Sequence, residues 1–402
     1  MSYDADVLIV GGGLVGLSLG LALASGGLEV ILVDRESPAQ QIDAAFDGRV
    51  SAIAHASRRA LEAIGIWRHV AEAEPILDIR VSDGPSLLHL HYDHRELGHE
   101  PFGHMVENRI LRRAQQAALA ERPNLRLIAP MAAAGFETTL GRVTLTLADG
   151  RRLAATLLLA ADGRTSPLRE AAGIKCVSWR YPQIGIVCTV THERPHQGVA
   201  QERFLPAGPF AILPMTGNRS SLVWTERADL APAILRSDDA AFAAEMAKRF
   251  GDYLGRLEVV GPRWSYPLAL HHAETYIAPR FALVGDAAHS IHPIAGQGLN
   301  MGVRDVAALA EVLVDAHRLG LDLGDVNVLQ RYERWRRFDN VLLAGVTDLL
   351  NRLFANDIEP IRLARDLGLA AVNRLPPLKR VFMQHARGTL GKLPRLLEGR
   401  AL

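Results

Sequence analysis

Three short stretches of this chain hold residue types that could bind and steer a phosphate-bearing cofactor. The first is Gly11-x-Gly13-x-x-Gly16, with Asp34 standing 18 residues beyond Gly16. The first glycine permits a tight turn, the second lets backbone N–H groups approach a pyrophosphate, and the third lets a helix pack close to its strand. Asp34 is placed to accept hydrogen bonds from the hydroxyls of an adenosine ribose. The second stretch is Asp162-Gly163-Arg164-Thr165-Ser166-Pro167-Leu168-Arg169, a strand end where Ser166 or Thr165 caps a helix and Pro167 takes its first turn. The third spans residues 281–302, FALVGDAAHSIHPIAGQGLNMG. It has an apolar strand, a break at Gly285-Asp286, a loop with His289, His292 and Pro293, and a turn at Gly296-Gln297-Gly298. A connection this long, carrying a carboxylate, suits a cofactor held at the N-terminus of the helix that follows.

The elements that must position these residues follow from local pattern. Residues 5–10 read as a buried strand, 14–26 as a helix and 29–33 as a second strand ending at Asp34. Residues 51–64 read as a helix closed by Gly65, preceded by Phe46-Asp47-Gly48-Arg49, where Arg49 either pairs with cofactor phosphate or caps the loop. Glu107-Asn108-Arg109 starts a helix through residue 119, and 125–128 is a strand. Residues 143–147 and 153–160 form a hairpin about Asp149-Gly150. From 176 to 270 the pattern is β-rich, interrupted by a helix at 239–254, and a helix begins near Leu299. The discontinuous cofactor domain is therefore expected at 1–74, 107–175 and 271–325. A β-rich substrate domain is expected at 75–106 and 176–270, and a helical region at 326–402. The fold class is α/β.

Composition narrows the function. A length of 402 residues calls for two or three domains, and 22% charged with 49% hydrophobic residues marks a globular enzyme. A net charge of +1 offers no electrostatic footprint for nucleic acid. Cys176 and Cys188 are not spaced as a metal clip and suit a reducing compartment. His89, His91, His94 and His99 read as solvated strand and loop residues, and no metal is expected. Residues 7–28 carry no charge but include seven glycines and divide into strand, turn and helix, so no membrane span or signal peptide is read there. The expected location is cytoplasmic, with peripheral contact at the inner face of the membrane as the alternative. Residues 376–402 hold six Lys/Arg against one Glu; they either touch an anionic membrane or dock on their own domain.

With these motifs in order, the chain resembles the FAD-dependent aromatic hydroxylases of the p-hydroxybenzoate hydroxylase fold. It is most similar to the branch acting on polyprenylated phenols in ubiquinone synthesis, the 2-polyprenyl-6-methoxyphenol hydroxylases. The branch is carried by His292-Pro293-x-x-Gly296-Gln297-Gly298-Leu299-Asn300-x-Gly302 with Arg304-Asp305, by the run 208–214 with 221–224, and by Val106-Glu107-Asn108-Arg109. The resemblance implies a Rossmann-like FAD domain of the GR2 type with an inserted β-rich substrate domain and a helical C-terminal region. It implies that Gly11, Gly13 and Gly16 face the FAD pyrophosphate, that Asp34 takes the ribose, and that Arg49 and Arg109 lie near the cofactor. Asp162, Gly163 and Arg169 would serve flavin and nicotinamide. Gly285 and Asp286 would hold the ribityl chain, Pro293 would rest against the ring, and Gly298, Leu299 and Asn300 would offer backbone N–H groups to the pyrimidine edge. NAD(P)H would bind transiently and O2 would react through a flavin C4a-hydroperoxide. Pro209, Phe210, Leu213 and Pro214 would lie near the substrate, and other quinone-synthesis enzymes are candidate partners. His289 and His292 are weak candidates for proton transfer, and no general base is assigned. A hydroxylase of a soluble aromatic, or a non-catalytic flavoprotein scaffold, remain the competing readings.

Overall fold

The computed structural model describes residues 3–42, 48–84, 86, 89–291, 296–354 and 359–402. Phe46, Asp47, His292 and Pro293 lie outside the described residues. Uninterrupted apolar runs such as VLIV, VILV and LLLA demand strands covered on both faces, and they form a parallel sheet. In it β1 (Val7–Val10) lies between β2 (Val30–Val33) and β12 (Leu157–Ala160). β8 (Leu125–Ile128) extends the sheet beyond β2, and β19 (Phe281–Leu283) beyond β12, with β18 (Ile277–Ala278) antiparallel at the edge. The fold thus returns to this sheet from a point more than 100 residues downstream of β12.

Two helices pack closely beside the sheet, α1 (Leu14–Ser25) and α8 (Gly298–Arg318). Their approach needs glycine: a Cβ on Gly302 would sit 2.5 Å from Val15 Cγ2, and one on Gly26 2.2 Å from Val314 Cγ2. α4 (Asn108–Ala120) packs on α1, where Gln115 Nε2 donates to Leu14 O and Ser18 Oγ, and α2 (Pro38–Ile42) packs on α4. A meander of β9 (Ala133–Thr138), β10 (Val143–Leu147) and β11 (Arg152–Ala155) covers part of the sheet, with Phe136 stacked on Phe281. The expected hairpin return at 153–160 divides at Thr156. Its N–H and hydroxyl both donate to Asp6 O, which redirects the chain from β11 into β12. α5 (Pro167–Ala171) follows.

The helix expected at 51–64 is corrected in its first part. Residues Val50–Ala54 form β3, and only His55–Ala63 is helical (α3). Antiparallel pairing with β7 (Gly103–Glu107) overrides the helical preference of this alanine-containing run. β7 also pairs with β4 (Glu74–Ile76), so β4 and β7 belong to this three-stranded sheet and not to the large one expected for 75–106.

The large sheet runs β20 (His289–Ser290), β17 (Leu257–Ala273), β13 (Cys176–His192), β16 (Arg219–Arg227), β15 (Gly208–Met215), β14 (Val199–Leu205), β5 (Asp78–Asp83) and β6 (His89–Asp93). All pairs are antiparallel except β14 with β5. α6 (Ala231–Arg236) and α7 (Asp239–Phe250) lie on its outer side, where Phe242, Met246 and Phe250 bury Phe210, Ile212 and Trp224. α9 (Val326–Phe354), α10 (Glu359–Arg374) and α11 (Pro376–Arg387) complete the chain.

The basic tail docks on its own protein. A 3-10 turn at Arg395–Glu398 fits against α3 and α8, with Leu396 and Leu397 fully buried. Arg395 Nη2 donates to Asp315 at 2.6 Å, its N–H to Glu311, and Trp335 Nε1 to Lys392 O. Leu396→Ala is therefore expected to lower stability by about 2–5 kcal/mol, read as a fall in the urea midpoint. Leu140→Ala, at a fully exposed position, is expected to change it by no more than about 0.5 kcal/mol.

Candidate functional site

Three loops leave the C-terminal ends of β1, β12 and β19, which are neighbours in the parallel sheet, so the three sequence stretches meet along one edge. Gly11 turns with φ 105°, and a Cβ there would lie 2.3 Å from Ala161 O. A Cβ on Gly16 would lie 1.8 Å from Gly11 O. These two glycines serve protein packing. Gly13 differs: it is the N-cap of α1, no side chain caps the helix, and a Cβ there meets no protein atom within 4 Å. The free first-turn N–H groups of α1 face that open space, as anion binding requires. Asp34 supports the turn directly, accepting from Gly12 N at 2.7 Å through Oδ2 and from Glu36 N at 2.9 Å through Oδ1. Each oxygen keeps a lone pair for a further donor.

At the C-terminal end of β19, Gly285 (φ 61°) begins a 3-10 turn that leaves Asp286 exposed. Solvent reaches the Asp286 carboxyl, yet protein surrounds it on most sides. That enclosure raises its pKa, opposed by His289 and Arg164. Arg169 holds the turn from behind, donating to Ala287 O at 2.9 Å and Arg164 O at 3.1 Å. Ser166, rather than Thr165, is the N-cap of α5 and accepts from Arg169 N. Asp162 Oδ1 is buried with no hydrogen-bond partner among the described residues, and burial raises the pKa of this carboxyl. Among the described residues no side chain caps α8, 21 residues long, and none lies within 4 Å of a Cβ built on Gly298. The N–H groups of Gly298, Leu299 and Asn300 have no intrahelical acceptor. The Asn300 side chain is engaged elsewhere: Oδ1 accepts from Ala54 N at 2.9 Å and Nδ2 donates to Ala52 O at 2.8 Å, fixing β3 to the start of α8.

Behind the Gly285 turn lies a buried ionic cluster. The fully buried Asp305 of α8 accepts from Gly285 N (3.1 Å), His289 Nε2 (2.5 Å) and Arg336 Nε of α9 (2.8 Å). Arg336 Nη2 donates to Asn340, whose amide reaches Tyr276 OH. Burial alone would raise the Asp305 pKa; the His289 imidazole and Arg336 guanidinium outweigh it and hold the carboxyl well below its usual range. His289 is 2% exposed and bound to Asp305, which ties the strand after the Gly285 turn to α8. Arg336 carries no sequence signal. Asp305 stands in the Arg304-Asp305 motif, but its partners are invisible there.

Other expected residues are placed as follows. Arg109 Nε donates to Glu107 Oε2 at 2.6 Å, and Glu107 also receives Arg219. Arg49 is exposed, and its carbonyl accepts from Asn108 N, which brings it beside the Arg109 helix. The four residues of β15 divide by face. Pro209 and Leu213 look toward the cofactor half, whereas Phe210 and Pro214 point outward, Phe210 being fully buried near Trp224. Strand alternation makes this correction unavoidable. Asp78, Asp93 and His94 bring three ligand-type atoms within 4.8 Å, a grouping their spacing did not reveal. Asp93 is already bound by Arg95, whose hydrogen bond lowers its pKa to about 2.

A glycine turn open to pyrophosphate, an orphaned buried carboxyl oxygen and a second uncapped helix at the same sheet edge suit one extended dinucleotide. The FAD binding domain family model matches residues 4–340. Ubiquinone hydroxylase UbiL of Rhodospirillum rubrum is 55% identical over 98% of this chain and 93% of its own length. The 3-demethoxyubiquinol 3-hydroxylase of Escherichia coli is 36% identical over 96% of this chain and 99% of its own. The crystal structure of p-nitrophenol 4-monooxygenase from Pseudomonas putida superposes with a TM-score of 0.80 at 20% identity, over 98% of this chain and all of that one. The chain belongs to the FAD-binding aromatic hydroxylase family, among its ubiquinone hydroxylases.

Because nothing in the protein opposes a side chain at Gly13, Gly13→Val is expected to stay folded while losing FAD, measured as unchanged circular dichroism and absent bound flavin. Full flavin content would refute the phosphate role. Asp305→Asn should destabilise by about 3–5 kcal/mol, since it leaves the charge of Arg336 without its buried carboxylate partner. The sign of the pH effect follows from the lowered pKa: the contribution is complete above the ordinary Asp value of about 4 and is lost as pH falls below it. Urea unfolding at pH 7 and pH 3 measures both.

Proposed function

We propose that this protein uses NAD(P)H and O2 to hydroxylate the ring of a polyprenylated phenol in ubiquinone biosynthesis. The observation that carries this reading is 55% identity, across nearly the whole chain, to a ubiquinone hydroxylase. Bound FAD would supply the redox chemistry, accepting hydride from nicotinamide and activating O2. The remaining work falls to the chain. Gly13 and the α1 N-terminus bind pyrophosphate, and Asp34 accepts from the adenosine ribose. Asp286, an acceptor when ionised, takes the ribityl hydroxyls. Gly298, Leu299 and Asn300 direct N–H groups and the positive end of α8 at the edge where reduced flavin carries charge. The large sheet excludes water above the ring.

Purified FAD-loaded protein should consume NAD(P)H in the presence of a prenylated phenol and release a hydroxylated product in matching amount. Absence of phenol-stimulated consumption would sink the reading. Equal turnover of prenylated and unprenylated phenols would favour a soluble aromatic substrate.

A peripheral membrane contact suits a lipid-tailed substrate, and none of the described helices is long and apolar enough to cross a membrane. Support for the contact comes from α9, since the tail is docked. Phe338, Leu342, Val346, Leu349 and Leu353 are exposed at intervals of three or four residues and form one stripe. Arg334, Arg337 and Arg352 lie on the same helix, so we propose that the stripe rests on an anionic bilayer. The protein should sediment with phosphatidylglycerol vesicles, and a Leu342→Glu, Leu349→Glu variant should remain in the supernatant with its FAD intact. Equal sedimentation of both would dismiss the contact.

A further inference from the structure

One carboxyl in the substrate half is unaccounted for. Glu202 lies in the middle of β14, directly opposite Ala211 of β15 and beside Val81 of β5. Pairing puts it on the inner face of the large sheet, with Ala200 and Phe204 along its own strand and Pro209 and Leu213 on the next. Every one of these neighbours is apolar. Among the described residues Glu202 makes no hydrogen bond and no ion pair. Glu202 is nonetheless only half-buried, so part of its side chain borders open space on this face.

That space adjoins the flavin seat. Ala200, Leu213 and Val81, which flank Glu202, share one apolar cluster with Val50 and Ala52 of β3. Ala52 is the residue whose carbonyl receives the Asn300 amide at the start of α8. The same inner face carries Thr189, Ser221 and Thr225, whose hydroxyls are buried without hydrogen-bond partners among the described residues. A sheet face that leaves one acid and three hydroxyls unmatched is built to meet a polar ligand.

We propose that Glu202 receives the ring hydroxyl of the phenol substrate, holding it by a hydrogen bond and taking its proton as the ring is activated. The inference rests on the phenol reading given above and supplies the base that reading lacked. In the step the phenol O–H bond breaks and a carboxyl O–H bond forms. The electron pair stays on the ring oxygen, where it enriches the carbons ortho and para to it. The proton later returns to the oxygenated product or leaves to solvent.

The chemistry of the group fits. Burial pushes the Glu202 pKa up to about 8, so the carboxyl is a far better match for a phenol than an ordinary glutamate. The charged groups on the elements packed around that face are matched elsewhere. Asp83 is bound by Arg365 of α10, Asp348 of α9 by Arg352 and Tyr181, and Glu107 of β7 by Arg109 and Arg219. Tyr92 of β6, also on this face, has its pKa raised by burial above the ordinary phenol value and stays uncharged.

The test uses the full-length FAD-loaded protein, its Glu202→Gln and Glu202→Asp variants, and a phenol with a short isoprenoid tail. Wild-type kcat/KM for hydroxylation should rise through a limb near pH 8. Glu202→Gln should lose the limb and about 100-fold or more in rate, with FAD content unchanged. Glu202→Asp should keep the limb at a reduced rate. Difference infrared spectra without substrate should show a protonated carboxyl band that disappears near pH 8 in wild type and is missing from Glu202→Gln. A Gln variant within threefold of wild type with the limb intact, or a band titrating near pH 4, overturns the assignment to Glu202 alone. A wild-type protein that loads FAD yet hydroxylates no phenol overturns the substrate reading instead.

Discussion

The structure depends on one buried carboxylate. Asp305 joins four elements that are far apart in sequence: the Gly285 turn, the strand bearing His289, its own helix α8, and α9 through Arg336. An ion in this position is tolerable only when its lone pairs are filled, and here backbone, imidazole and guanidinium fill them. One carboxylate therefore sets the relative position of the Gly285 turn, which carries Asp286, and the start of α8.

The N-termini of α1 and α8, both without a side-chain cap, stand along one sheet edge; in the proposed function the first serves phosphate and the second the ring. Neither could do so with a capping side chain in place, since the ligand must replace the cap. Asn300 shows how the arrangement is enforced. Its side chain is committed to β3, which leaves only its backbone for the cofactor and ties the seat to the sheet beneath the substrate face.

What was legible in the sequence was local. The glycines at 11, 13 and 16, the Ser166 cap and the strand of residue 281 declare themselves within a few positions, because turns, caps and buried strands impose rules at short range. The β3 strand was misread because pairing with β7 is a tertiary fact that an alanine-containing run conceals. Phe210 and Pro214 were grouped with Pro209 and Leu213 although alternation alone separates them. Arg336 reads as one more charge on an amphipathic helix, and Glu202, between Gln201 and Arg203, reads as solvated. Both gain meaning only when distant elements remove water from around them.

The position of β19 has a consequence for the order in which the protein is made. The sheet edge that carries the cofactor is complete only when residues 281–283 have joined β12, and α8 is pinned only when the final turn at Arg395–Glu398 has docked. During synthesis at roughly 5–20 residues per second, β1, β2 and β12 emerge well before their last partner and wait with an open edge. The interval before β19 arrives is therefore when the unpaired edge of β12 is most exposed to association with other chains.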